Sequence, residues 1–96
     1  MTSKQRAYLR GLANNIDAIF QIGKNGINDN LIKQLNDALE ARELIKITVL
    51  ETAPDSAKDL SFEIAENTNS AVVQVIGNKI TLFRQRKKDS KINLPS

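Results

Sequence analysis

The spacing of hydrophobic residues along the chain switches between the period of a helix and the period of a strand. From Leu9 to Ile16, apolar residues recur every three or four positions, as on one face of an amphipathic helix. In LIKITVL, residues 44–50, they alternate and are rich in β-branched side chains, as in a strand. The two patterns predict elements in the order α-β-α-β-α-β-β: helix 4–16, strand 19–22, helix 29–42, strand 44–50, helix 56–67 and strands 71–76 and 79–83.

This order of elements predicts an α/β fold, a single compact domain with a mixed four-stranded sheet. Strands joined through a helix are expected to become parallel neighbours through right-handed crossovers. The two-residue turn Gly77-Asn78 predicts a β-hairpin, which adds an antiparallel strand. The 96 residues suffice for one domain, which we assign to residues 1–85. Residues 86–96 are polar and basic, and we expect them to form a flexible C-terminal tail.

The residue types that are missing limit the chemistry. The chain contains no histidine and no cysteine, which excludes most zinc sites, thiol nucleophiles and catalysis by imidazole. We therefore expect a protein that is not an enzyme and that has no cofactor and no metal. No apolar run approaches the roughly 20 residues that span a bilayer, and the N-terminal residues lack the apolar stretch of a signal peptide. We expect a cytoplasmic protein, and nothing in the sequence requires more than a monomer.

Charge is distributed unevenly along the chain, whose formal net charge is +3. Residues 1–24 have four basic residues and one acidic residue, and residues 79–96 have six basic residues and one acidic residue. Between them, residues 51–78 have five acidic residues and only Lys58 as a basic one. This distribution favours a surface that faces a polyanion, with the acidic residues on the solvent-exposed face of the third helix.

The stretch QIGKNGIN has two of the chain's four glycines, three positions apart. Gly23 and Gly26 flank Lys24 and Asn25, after a predicted strand and before a predicted helix. In such a loop, main-chain N–H groups and the positive end of the helix dipole converge, so that a sugar-phosphate backbone can approach closely. A plain tight turn is the alternative. A nucleotide-binding P-loop is excluded, because its glycine-lysine-serine or glycine-lysine-threonine ending is absent.

The predicted first helix has three basic residues, Lys4, Arg6 and Arg10, and no acid at helical spacing from the two arginines. Arg6 and Arg10 stand four positions apart, where like charges disfavour an isolated helix by about 0.2–0.5 kcal/mol. A solvated polar face is one explanation, but an unpaired basic row beside the glycine loop is better matched by phosphate binding. Phe20 and Phe83 lie in apolar strands and are predicted to be core, which disfavours recognition by base stacking.

Four stretches in this order, KQRAYLRGLA, QIGKNGI, LEARELIKITVL and AVVQVIGNKITLFR, resemble the CRM domain (chloroplast RNA splicing and ribosome maturation). In length the chain is similar to the stand-alone bacterial form, the YhbY-like protein. The resemblance covers about residues 3–84. It implies an RNA-binding domain related in fold to the C-terminal domain of a bacterial translation initiation factor. It also implies an association with precursors of the large ribosomal subunit.

The resemblance also indicates which residues contact RNA. The family's GxxG loop falls on residues 23–26, its basic first helix on the three cations named above, and its last strand ends at Leu82-Phe83-Arg84, where members often have Leu-Tyr-Arg. The basic residues that follow this strand complete the set. The predicted RNA-binding residues are Lys4, Arg6, Arg10, Gly23, Lys24, Asn25, Gly26, Arg84, Arg86, Lys87 and Lys88.

Two functional hypotheses follow from the sequence. The first is a non-enzymatic protein that binds ribosomal RNA, or pre-large-subunit particles, by clamping phosphates with the GxxG loop and the basic helix. The second is an adaptor that docks a basic ribosomal protein through the acidic third helix. A salt-sensitive association favours the first hypothesis, whereas binding that survives nuclease treatment and maps to residues 55–66 favours the second.

Overall fold

The structure, a computed structural model, describes residues 1–95 and confirms the predicted order of helices and strands. The elements are α1 (Ser3–Ala13), β1 (Ala18–Ile22), α2 (Asp29–Arg42), β2 (Leu44–Val49), α3 (Ala57–Thr68), β3 (Ala71–Ile76) and β4 (Lys79–Phe83). Helix α1 is shorter than predicted, because the chain turns after Asn14 and the amide of Ile16 donates to the carbonyl of Ala13 at 3.2 Å. Within residues 1–95, no helix has both the length and the apolar character needed to span a bilayer.

The sheet is mixed and has the strand order β1-β2-β4-β3. Strand β1 runs parallel to β2, as predicted, while β4 is antiparallel to both β2 and β3. The prediction that helix-linked strands are neighbours is wrong for β2 and β3, because β4 lies between them. Residues 80–83 are all buried, whereas β3 ends at Ile76, which is 63% exposed. The strand that is buried on both faces therefore takes the centre, and its partner takes the edge.

Helices cover the two faces of the sheet unequally. Helices α2 and α3 pack on one face, where Ile45, Ile47 and Val49 of β2 join Ile80 and Leu82 of β4 in the larger core. On the other face α1 inserts Leu9 and Ala13 against a smaller cluster formed by Leu44, Val73 and Phe83. Because these three strand residues lie towards one end of the sheet, α1 leaves the rest of this face without a helix on it.

The segment after β4 folds back onto the domain. Ile92 and Leu94 pack against the smaller cluster, and the Nε2 atom of Gln5 donates to the carbonyl of Pro95 at 3.1 Å. The domain boundary after residue 85 and the flexibility of the tail stay predictions, and Ser96 lies outside the described residues. The contacts tie residues 92–95 to α1.

Glu43, between α2 and β2, anchors the same segment. Its φ is +67°, and its side chain is fully buried. The carboxylate accepts hydrogen bonds from four groups: Ser90 Oγ at 2.6 Å and the amides of Arg86 at 2.9 Å, Lys91 at 2.6 Å and Ile92 at 3.3 Å. Burial alone would raise the pKa of Glu43, but these hydrogen bonds outweigh it and lower the pKa below its ordinary value. The acid is therefore held in its charged form.

Candidate nucleic-acid interface

The GxxG loop forms a tight turn at the end of β1. The amide of Gly26 donates to the carbonyl of Gly23 at 3.0 Å, which leaves Lys24 and Asn25 exposed at the tip. Helix α2 begins just after the loop, and Asn28 caps it by accepting from the amide of Leu31 at 2.8 Å. The loop and the N-terminus of α2 are therefore adjacent in the structure, and residues of both line one groove.

The two glycines of this loop differ in what the fold requires of them. Gly26 has a φ of +60°, and a Cβ there would lie 2.9 Å from Cγ of Pro54, so both backbone conformation and space demand glycine. Gly23 does not have a positive φ, and a Cβ there would meet Thr52 and Leu50 at 3.5 and 3.7 Å, which are ordinary contact distances. The tight-turn explanation thus accounts for Gly26 and leaves Gly23 without a structural reason.

A shallow polar groove of about 370 Å³ lies beside the loop. Gln21 from β1 and Gln34 from α2 line it, together with all four loop residues and the first turn of α2. Amide side chains and main-chain N–H groups donate hydrogen bonds to phosphate oxygens, and Lys24 adds a positive charge. Asp29, in the first turn of α2, is the acid closest in sequence to the groove.

In α1 the predicted basic row divides into free and bound side chains. The helix begins with the capping box formed by Thr2 and Gln5. The Nη1 atom of Arg6 donates to the carbonyls of Val72 and Val73 at 2.6 and 2.7 Å, at the irregularity of β3. Within residues 1–95 no acid contacts Arg6, but its guanidinium is bound to these main-chain carbonyls and is therefore not a free cation. A role of Arg6 in RNA binding stays a prediction. Lys4 and Arg10 are exposed, and neither side chain has a partner within residues 1–95.

Arg84 holds together three parts of the fold. Its guanidinium donates to the side chain and the carbonyl of Asn36 at 2.7 and 3.0 Å and to the carbonyl of Thr68 at 2.8 Å. It also lies 3.5 Å from the carboxylate of Glu40. These contacts link the end of β4 to α2 and α3. A role of Arg84 in RNA binding stays a prediction, but most of its donors already have protein partners.

The remaining predicted cations follow Arg84. Lys87 and Lys88 are exposed, and Arg86 is partly buried with its amide bonded to Glu43. The Nε atom of Arg86 is buried without a hydrogen-bond partner within residues 1–95. Together with Glu40 and Asn69, these residues line a groove of about 470 Å³. This groove is polar and basic on the tail side and has one exposed acid on the α2 side.

The structure does not bring all predicted residues into one site. The GxxG loop lies where β1 and β2 end, whereas the tail cations lie where β4 ends, beside the start of β2. A strand of this length spans about 17–20 Å. A single nucleic acid would therefore have to run along the sheet to contact both groups.

The charges of the regular elements divide by layer. Helix α1 and the four strands contain five basic residues and no acidic one: Lys4, Arg6, Arg10, Lys46 and Lys79. Helices α2 and α3 contain three basic and six acidic residues. The sequence-based site omitted Lys46 and Lys79, although the alternation of LIKITVL already set Lys46 on the face opposite Ile45 and Ile47. No cluster of metal-ligating side chains occurs in the described part of the chain.

Comparisons with known proteins agree on one family. Residues 1–84 match the CRS1 / YhbY (CRM) domain. The chain is 44% identical over 95 residues to the "Probable RNA-binding protein YqeI" of Bacillus subtilis, with 99% of each chain covered. It is 30% identical over 95 residues to an "RNA-binding protein" of Haemophilus influenzae, covering 99% of this chain and 95% of that one.

A solved structure supports the same conclusion. The solution structure of the hypothetical protein SAV1595 from Staphylococcus aureus has a TM-score of 0.82 and 54% sequence identity to this chain, over 99% of both. The resemblance inferred from the four sequence motifs is therefore confirmed. The chain belongs to the CRS1/YhbY (CRM) domain family.

Proposed function

We propose that this protein is a non-enzymatic RNA-binding protein. The observation that carries the proposal is the glycine at position 23, beside the exposed Lys24 and Asn25. The fold has room for a Cβ at Gly23, so the absence of a side chain there is not required by the fold. A bare main chain next to a cation and a helix N-terminus suits a sugar-phosphate backbone. The relatives from Bacillus subtilis and Haemophilus influenzae, whose names refer to RNA binding, support this proposal.

The mechanism that fits these groups is contact with phosphates. Lys4 and Arg10 on α1 and Lys24 in the loop are exposed cations with no protein partner in the described part of the chain. Phe83 is buried and Phe20 packs against the larger core, so neither presents a ring for base stacking. Contacts of this kind set affinity and position, whereas they contribute little to the choice of sequence.

We further propose that the RNA is large-subunit ribosomal RNA or its precursor. The family resemblance supports this target, and a protein that recognises phosphates needs an RNA whose shape or bound proteins select it. We also propose that the protein is cytoplasmic and monomeric. Crosslinking in cells, followed by sequencing of the attached RNA, tests it. We expect the crosslinks to accumulate in large-subunit ribosomal RNA, and an even spread over messenger RNAs would contradict this target.

The loop itself is tested by the double substitution Lys24→Ala, Asn25→Ala. We expect RNA binding to weaken while the free energy of unfolding changes by less than about 0.5 kcal/mol, because both side chains are exposed on a loop. Titration of a fluorescent RNA hairpin and urea denaturation give the two quantities. If the folded double variant binds the hairpin as the wild type does, the loop is not a contact.

A second candidate function, docking of a basic protein, is favoured by one observation on α3. Phe62 is 59% exposed, and at helical spacing Asp59 and Glu66 lie beside it on the outer face. An apolar ring among carboxylates suits a partner with a pocket rimmed by basic residues. Phe62→Ser should then abolish co-purification of a nuclease-resistant partner without changing RNA binding. An unchanged set of co-purified proteins would exclude α3 as the docking site.

A further inference from the structure

We propose that the part of the sheet left uncovered by α1 is a second contact surface for RNA phosphates, formed by Lys46 and Lys79. This inference rests on the proposed RNA-binding function and specifies which face of the domain the RNA follows. Neither lysine belongs to the loop, to α1 or to the tail.

The strand register places the two lysines together. In the antiparallel pair β2–β4, Lys46 lies opposite Thr81 and Thr48 lies opposite Lys79. The lysines are therefore diagonal neighbours on one face, at a spacing of about 7–8 Å. The Nζ atom of Lys79 donates to Oγ1 of Thr48 at 2.7 Å, which fixes the direction of its side chain.

Both lysines are accessible to solvent on this face, as is Ile76 of β3, which lies opposite Lys79. Thr48 and Thr81 are almost fully buried, although α1 packs at the other end of the face. Lys46 is partly buried and Lys79 is exposed, so their aliphatic stems lie over the threonines while the ammonium groups reach water. Neither ammonium group has an acidic partner within residues 1–95.

Charge distinguishes this face from an ordinary solvated sheet surface. The four strands contain no acidic residue, and Lys46 and Lys79 are their only charged residues. A solvated sheet face commonly mixes both signs, and cross-strand pairs of opposite charge stabilise it. Two cations of like sign without a counter-charge slightly destabilise the sheet and attract an anion.

The face is also continuous with the proposed contacts on both sides of it. Gln21 lies beside Thr48 in the sheet and at the same time lines the groove of the GxxG loop. On α1, Gln5 and Leu12 lie on the flank that contacts the tail. With 3.6 residues per turn, Arg6 and Arg10 lie on the opposite flank, where Arg6 contacts the carbonyls of Val72 and Val73 in β3. An RNA backbone can thus run from the loop across the lysines to Arg10.

The test is the double substitution Lys46→Gln, Lys79→Gln, with Lys33→Gln, Lys58→Gln as its matched control. Glutamine keeps most of each stem over the threonines and removes the charge, and the control removes the same charge from exposed positions on α2 and α3. The affinity for a fluorescent RNA hairpin is measured at several salt concentrations. We expect the plot of log affinity against log salt to flatten by about 1.4–1.8 for the sheet variant, for two lost phosphate contacts, and not for the control.

Two results would overturn the inference: a sheet variant whose slope equals that of the wild type, or a control variant that flattens equally. The Lys24→Ala, Asn25→Ala variant separates this failure from failure of the proposed function. If only the sheet contact is wrong, the loop variant should still bind the hairpin more weakly than the wild type does. Amide chemical shifts of the wild type give an answer without any substitution. On addition of the hairpin they should change at Lys46, Thr48 and Lys79, and changes confined to α2 and α3 would contradict the surface.

Discussion

At the scale of single residues, the two loop glycines should respond differently to the same substitution. The free energy of unfolding of Gly23→Ala should lie within about 0.5 kcal/mol of the wild-type value, since the φ and the surroundings of Gly23 accept a Cβ. It should nevertheless bind RNA more weakly, because we propose that a phosphate approaches the bare main chain at this position. The free energy of unfolding of Gly26→Ala should be about 1–3 kcal/mol lower than that of the wild type, because a non-glycine residue is strained at a φ of +60° and its Cβ meets Pro54. Urea denaturation and hairpin titration measure both effects.

Wild-type affinity in Gly23→Ala would remove the reason for invoking a ligand at that position, and wild-type stability in Gly26→Ala would contradict the described turn.

The hydrogen-bond partners of two arginines could not be predicted from the sequence. Arg6 was predicted to bind RNA from its place in the basic first helix, and Arg84 from the family resemblance. Their partners, the carbonyls of Val72 and Val73 and the amide group of Asn36, are 66, 67 and 48 positions away and follow no period. Such contacts exist only once the chain is folded.

At the scale of elements, Glu43 ties the chain after β4 to the junction of α2 and β2, and this link should depend on pH. The pKa of Glu43 is lower in the folded state than its ordinary value, so its stabilising effect is fully present above about pH 4.5. It is lost as the pH falls through the folded-state pKa. Glu43→Gln should cost about 2–3 kcal/mol at pH 7, because the new amide group cannot accept all four hydrogen bonds.

Denaturation at pH 7 and at pH 3.5 checks this expectation, with Glu63→Gln as the control because Glu63 is exposed on α3. The loss caused by Glu43→Gln should shrink at the lower pH, whereas the control should stay near the wild type at both. An equal loss at both pH values would mean that the charge of Glu43 does not hold the segment. The experiment also tests the predicted flexibility of the tail, since a mobile tail would not change the free energy of unfolding.

Most elements could be predicted because their signals are local. The alternation in LIKITVL and the Gly77-Asn78 turn each depend on a few adjacent residues. The position of β4 between β2 and β3 could not be read in this way, since it depends on which strand buries both faces. The positive φ of Glu43 was also missed, because glycine is the residue that usually marks such a position.

At the scale of the whole molecule, the domain has a basic layer, formed by α1 and the sheet, and an acidic layer, formed by α2 and α3. Segment charges along the sequence indicated basic ends and an acidic middle. Only the topology shows that the two lysines of the central strands lie on the same face of the sheet as α1. The sequence alone does not show which face of each strand α1 covers. This separation allows RNA to bind on one side and leaves the acidic side free for another partner.

RNA binding by the basic layer is tested most directly by the salt dependence of RNA affinity for the wild type and for Lys4→Gln, Arg10→Gln. These two exposed cations lie in α1 and have no protein partner within residues 1–95. Arg6 is left intact, since its removal would leave two carbonyls without their donor. Isothermal titration of the RNA hairpin at several salt concentrations supplies the slopes.

If four or five exposed cations each neutralise a phosphate, the wild-type slope of log affinity against log salt should be about −3 to −4.5. The double variant should flatten it by about 1.4–1.8, and the preference among RNAs should not change, because phosphate contacts position the protein without specifying sequence. A wild-type affinity that does not depend on salt, or two slopes that coincide, would contradict the claim that the basic layer binds RNA.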